Sequence, residues 1–188
     1  MGSNFYSEYE LEKLGIKSFG KNVLISKKAS IYGAKNIEIG NNVRIDDFCI
    51  LSGKIKIGNY VHVAAYSALF GAYEGIELCD FSGLSSRVTI YAASDKYDGS
   101  CLTNPTVSEE YKKLDKGKII VGRHAIVGSS CVVLPSVTIN EGTAVGALSL
   151  ITKSTEEWSV YFGSPAKKIK NRKKDLLKLE KDFLENEK

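Results

Sequence analysis

Few side chains in this chain are equipped for proton or nucleophile chemistry. Only two histidines, His62 and His124, occur among 188 residues, and imidazole is the side chain readiest to take a proton near neutral pH. Asp95 stands in a segment rich in Ser, Asp, Asn and Gly. At its ordinary pKa of about 4 a carboxylate is a weak base unless it is desolvated. The cysteines Cys49, Cys79, Cys101 and Cys131 show no paired metal-type spacing, so a disulfide framework is not expected and a reducing compartment fits. No serine or cysteine sits beside a histidine and an acid in the arrangement that activates a covalent nucleophile. Two histidines cannot supply a three-histidine zinc site, and no metal is expected. Six of the eight residues from Lys167 to Lys174 are basic, and this end carries the whole net charge of +4. Such a cluster suits a phosphorylated ligand. Nucleic acid is not expected, because no aromatic residues interleave the cluster to stack on bases.

A sixfold repeat must position these groups. Ile39, Ile45, Leu51, Ile57, Val63 and Leu69 form one run, Leu78, Leu84 and Ile90 a second, and Val121, Val127, Val133, Ile139, Val145 and Ile151 a third. Four residues after most of these stands a small or β-branched residue, such as Val43, Cys49, Ser82, Ala125 or Cys131. Six is neither the helical period nor the alternation of a plain strand. It is the period of a parallel β-helix, whose short strands stack coil on coil with the aliphatic residue inside. Gly40, Gly58, Gly122, Gly128 and Gly146 follow the aliphatic position and are expected to supply backbone freedom at the turns. Each histidine follows or precedes a small inward residue (Val61 or Ala125), so both are expected to point outward at corners.

The expected class is therefore all-β, a β-helix capped by short helices at both ends, in one domain. Residues 1–20 read as an N-terminal helical cap, with Asn4–Leu14 helical, Ser7 capping, Glu10 three residues on and Gly15 ending it. Residues 21–155 read as the β-helix, with turn insertions between Ile31 and Ile39 and around Gly71–Gly75. The repeat vanishes over about 92–118, an external loop long enough to be functional. Residues 156–188 read as a C-terminal extension, with Ile169, Leu176, Leu179 and Phe183 at helical spacing. No apolar run reaches about 18 residues and no signal-peptide core follows Met1, so a cytoplasmic protein without membrane partners is expected.

The hexads, the loop, Gly-Ala-Leu-Ser-Leu-Ile-Thr-Lys at 146–153 and Gly-Ser-Pro-Ala-Lys-Lys-Ile at 163–169 resemble the left-handed β-helix (hexapeptide-repeat) acyltransferases. The resemblance implies the left hand of the helix, a homotrimer, and acetyl-CoA bound in the groove between neighbouring prisms. Ser129 and Ala147 match positions that meet the pantetheine arm and thioester, with backbone amides that are candidates to hold the oxyanion. Thr152, Lys153 and Lys168 match positions near the adenosine phosphates. Asn-Val-Leu-Ile-Ser-Lys-Lys-Ala-Ser at 22–30, residues 39–53, and Ser-Ser-Arg at 85–87 running into Tyr-Ala-Ala-Ser-Asp at 91–95 are similar to a narrower group. Its members acetylate the 4-amino group of dTDP-4-amino-4,6-dideoxyglucose, a building block of bacterial surface polysaccharide such as O-antigen. That resemblance makes Asp95 the first catalytic candidate, with His62 and His124 as alternatives, and places Arg44, Ser86 and Arg87 toward the nucleotide sugar.

A sugar O-acetyltransferase is the second reading. An alcohol needs help to lose its proton, yet the loop in which sugar O-acetyltransferases carry a histidine has none here. A γ-class carbonic anhydrase shares the repeat but needs three histidines. A non-enzymatic β-helix, such as an ice binder, fits neither the mixed, charged outward positions nor the long loop.

Overall fold

A computed structural model describes residues 4–187. The first three residues of the expected N-terminal cap and Lys188 at the other end lie outside the described residues.

Short parallel strands stack into a β-helix, and their register resolves the sixfold repeat into three inward columns. Ile25, Ile45, Val63, Leu84, Val127 and Val145 lie over one another in the first. The second holds Ile31, Leu51, Leu69, Ile90, Val133 and Ile151. Phe19, Ile39, Ile57, Leu78, Val121 and Ile139 make the third. Nearly all are fully buried, each contributing roughly 1.5–3 kcal/mol of apolar burial. The first rung begins at Ser18–Phe19, a few residues before the expected start.

The glycines after the aliphatic positions serve a different purpose from the expected one. None of them lies in the left-handed region, which is occupied instead by Asn42, Tyr60, His124, Ser130 and Leu148 farther round each corner. A Cβ on Gly40 would meet the Gly58 backbone at 2.7 Å, and one on Gly128 the Ala147 backbone at 2.6 Å. Close coil-to-coil approach, not turn freedom, excludes a side chain there. Two corners place aromatic rings in this strained conformation and stack them. Tyr60, Phe81, His124 and Trp158 line one, Phe48 and Tyr66 another. Stacking helps to offset a strain of about 1–3 kcal/mol per residue.

The first insertion is a short turn, Ala34–Asn36, entered through Gly33 at φ 72°. The second lies within the long strand Ala68–Leu78, whose pairing shifts opposite Gly53. The external loop replaces one corner of a single coil: the chain leaves after Tyr91 and rejoins at Ile119–Val121, beneath Ile76–Leu78. Its base is a ribbon in which Ala93, Ser94 and Asp95 pair antiparallel with Lys116, Asp115 and Leu114.

Helix α1 spans Glu8–Lys13. The Ser7 hydroxyl accepts from the Glu10 amide, and the Glu10 carboxylate accepts from the Ser7 amide at 2.7 Å, the reciprocal cap its sequence predicts. At the other end the structure departs from expectation. Ser159–Gly163 and Ala166–Asn171 form an antiparallel hairpin, so Ile169 lies on a strand, and helix α2 covers only Leu176–Asn186. Among the described residues, no helix is long and apolar enough to cross a membrane.

Candidate active site

The loop base encloses a cavity of about 620 Å³, lined by Tyr91, Asp95, Tyr97, Lys112, Asp115 and Pro135 among others. Asp95 sits on the ribbon with one carboxylate oxygen 3.3 Å from the Asn104 amide. Asp98, not Asp95, closes the local turn, accepting from the Ser100 amide at 2.9 Å and hydroxyl at 2.6 Å. Asp95 therefore keeps accepting capacity for a ligand. The Lys112 ammonium is almost fully withdrawn from solvent and pairs with the exposed Glu109 at 2.9 Å. Three carboxylates (Asp95, Glu109, Asp115) against one lysine give this cavity the sign that attracts an amine.

A second region follows a prism edge. Ser86, Ser129 and Ala147 stack there on successive coils, linked by Ser130 N–H to the Ser86 carbonyl at 3.0 Å and Leu148 N–H to the Ser129 carbonyl at 2.9 Å. Arg87, at φ 63°, lies over the Tyr66 ring. Ser85, Ser86, Ser129 and His62 line a cavity of about 280 Å³ beside this edge. Thr152 and Lys153 are exposed beyond the last coil. Lys168, on the terminal hairpin, already pairs with Glu156 at 2.7 Å and must release it to meet a phosphate. The fold thus gathers Ser86, Ser129 and Ala147 on one edge. Asp95 lies apart, past the far end of the strand Thr89–Tyr91.

The histidines take unlike places. His62 faces outward on a flat sheet surface rather than at a corner, half exposed, with Nε2 2.8 Å from Asp46. Arg44 binds the other Asp46 oxygen through Nε at 2.7 Å, so it is committed within the protein. Burial alone would raise the Asp46 pKa, but Arg44 and His62 hold it below the usual carboxylate value. His124 stands at a corner as expected, but α2 covers it. It is 8% exposed, stacked on Phe81, with Nε2 2.9 Å from Glu180 of α2, which also pairs with Arg123. Burial first, then Arg123 and Arg172, push its pKa below the ordinary histidine value. A covered imidazole already bonded to a helix is a structural clamp, and His124 is set aside as a catalytic base.

Sequence reading missed Ser85, Asp46, Lys112 and Glu180. Ser85 adjoins the motif that pointed to Ser86 and was legible there. The remaining three depend on partners brought close only by coil stacking or by the return of α2.

Stacked hexapeptide coils, a protruding loop and a serine-lined edge define a hexapeptide-repeat acyltransferase. Residues 36–71 match the family model described as bacterial transferase hexapeptide (six repeats). The chain is 45% identical over 182 residues to the dTDP-4-amino-4,6-dideoxy-D-glucose acyltransferase of Escherichia coli, covering 95% of this chain and 94% of that one. It superposes with TM-score 0.97 and 52% identity on AntD, an N-acyltransferase from Bacillus cereus solved with dTDP and 3-hydroxybutyryl-CoA, covering 98% of each chain. A putative lipopolysaccharide biosynthesis O-acetyl transferase, WbbJ of Escherichia coli, is 27% identical over 78% of this chain and 74% of its own. The chain belongs to the dTDP-4-amino-4,6-dideoxyglucose acyltransferase family.

Proposed function

We propose that this protein transfers the acetyl group of acetyl-CoA to the 4-amino group of dTDP-4-amino-4,6-dideoxyglucose. The observation that carries this reading is the 45% identity, over 95% of the chain, to an acyltransferase of that sugar. Further support comes from AntD. It has been solved with substitutions at one serine and at one aspartate ten residues later, each with coenzyme A and either dTDP or the amino sugar bound. Ser85 and Asp95 stand ten residues apart here.

The chemistry needs little from the protein. A neutral amine is already a good nucleophile, so the work lies in positioning it against the thioester. Asp95 orients the amine and eases its deprotonation. The nitrogen attacks the thioester carbon, backbone amides near Ser129 and Ala147 hold the oxyanion, and the departing thiolate takes the last proton. Thr152, Lys153 and Lys168 serve the coenzyme phosphates, while Ser86 and Arg87 serve the sugar nucleotide. Arg44 is the weaker candidate because Asp46 occupies it.

Asp95 and the Ser129 edge lie at opposite ends of a strand in one chain. We therefore take the working form to be a homotrimer, in which the loop of one copy faces the edge of the next. A cytoplasmic enzyme that feeds surface polysaccharide such as O-antigen completes the reading. The test is thiol release from acetyl-CoA with a panel of amino and hydroxy nucleotide sugars. Release with the 4-amino sugar alone is expected; turnover of hydroxy sugars only would favour an O-acetyltransferase.

A further inference from the structure

Asp46 and His62 form an acid–imidazole pair that amine transfer leaves unused. His62 Nε2 lies 2.8 Å from one Asp46 oxygen, and Arg44 Nε holds the other at 2.7 Å. Both partners keep the Asp46 pKa below the usual carboxylate value, so the carboxylate is ionised and only accepts. Nε2 therefore carries the ring hydrogen, and the lone pair of the neutral imidazole is on Nδ1. A carboxylate that fixes the tautomer of a histidine in this way prepares the ring as a base.

Strand register puts the pair beside the coenzyme edge. Asp46, Ala64, Ser85 and Gly128 each follow the first inward column on successive coils, so a single coil separates Asp46 from Ser85. His62 is the register partner of Gly83, where a Cβ would meet nothing within 4 Å. The space beside that missing side chain belongs to the cavity of about 280 Å³ that His62 shares with Ser85 and Ser129. It has room for an acetyl thioester and a water together.

We infer that the Asp46–His62 pair gives this protein a second activity, hydrolysis of the acyl-CoA donor while no sugar amine is bound. This rests on the acyltransferase reading above, which seats the thioester at Ser129. Water is a weaker nucleophile than an amine and needs a base to take its proton as it attacks. His62 Nδ1 takes that proton, the water oxygen bonds to the thioester carbon, and backbone amides of the edge hold the oxyanion. The C–S bond then breaks, the imidazolium returns its proton to the thiolate, and acetic acid and free CoA leave. Asp95, in the separate loop cavity, has no part in this route. Hydrolysis sets the acceptor-free background above which transfer to a sugar is read.

The experiment measures thiol release from acetyl-CoA, with acetate quantified, in the absence of sugar and with saturating 4-amino sugar. Full-length wild type, His62→Gln, Asp46→Asn and Asp95→Asn are compared. The wild type is expected to form acetate faster than a protein-free control. His62→Gln is expected to lower hydrolysis by about a hundredfold and the hydrolysis-to-transfer ratio by at least about tenfold. Asp46→Asn should lower the ratio less, because the ring remains and only its fixed tautomer is lost. Asp95→Asn should raise it. Acetate formation no faster than the control, or a ratio in His62→Gln equal to that of the wild type, overturns the inference. So does an acylated serine found by mass spectrometry, since water would then not attack the thioester directly. Hydrolysis to which the amino sugar adds nothing overturns the functional reading instead.

Discussion

At the scale of single residues, the proposed site separates groups that act in the transition state from groups that only bind. Asp95→Asn preserves shape and removes charge, so kcat should fall by roughly ten- to hundredfold while the donor KM holds. The loss is modest because the departing thiolate finally carries the proton. Steady-state kinetics at neutral pH check this, and a His62→Gln variant more impaired than Asp95→Asn would move the base to His62. The phosphate contacts proposed for Lys153 and Lys168 would be of equal strength in ground and transition states. Replacing both by Ala should raise the acetyl-CoA KM and leave kcat nearly intact. Lys168 must first leave Glu156, so Lys153 should account for most of the change. The proposed direct transfer uses no thiol of the protein, so Cys101→Ala, which removes a thiol 3.8 Å from the Lys113 carbonyl, should turn over normally.

At the scale of elements, α2 is held by a few specific contacts. Phe183 stands edge-on to Tyr60 and Phe81, Glu180 meets Arg123 and His124, and Arg172 donates to the carbonyls of His124 and Gly142. Glu180→Gln weakens the partnership of two cationic or imidazole groups and should cost about 1–3 kcal/mol. The clamp is also sensitive to acid. The folded pKa of His124 lies below its unfolded value of about 6.5. Between those values the unfolded chain binds more protons, so stability rises with pH and falls on acidification. Melting curves of the wild type and His124→Gln from pH 7.5 to 5.5 should show a larger acid loss in the wild type. Parallel curves would deny His124 this role. At the other end, Ser7→Ala removes one half of the reciprocal cap and should cost about 1 kcal/mol.

At the scale of the whole molecule, the proposed homotrimer makes each site a shared one. On that proposal the ribbon carrying Asp95 of one copy meets the Ser86–Ser129–Ala147 edge of the next, so catalysis should require association of copies. Light scattering combined with activity across a dilution series measures this. Activity should disappear as trimers dissociate, and a fully active monomer would refute the shared site. The exposed stack of Phe48 on Tyr66, ringed by Lys28 and Arg87, runs along the same edge.

The sixfold spacing of Ile, Leu and Val was sufficient to specify the β-helix, because each coil repeats the same local demand for one inward aliphatic residue. Ser7 and Glu10 likewise announced their helix, since a cap is satisfied within three residues. The loop was visible as a break in the period, and Asp95 through resemblance to known motifs. Other features depended on the tertiary structure, because they join residues distant in sequence. His124 reads as a catalytic candidate in the chain, yet Glu180, 56 residues away, makes it a clamp. Gly40 and Gly128 read as turn residues, yet the backbone of the next coil is what excludes their side chains.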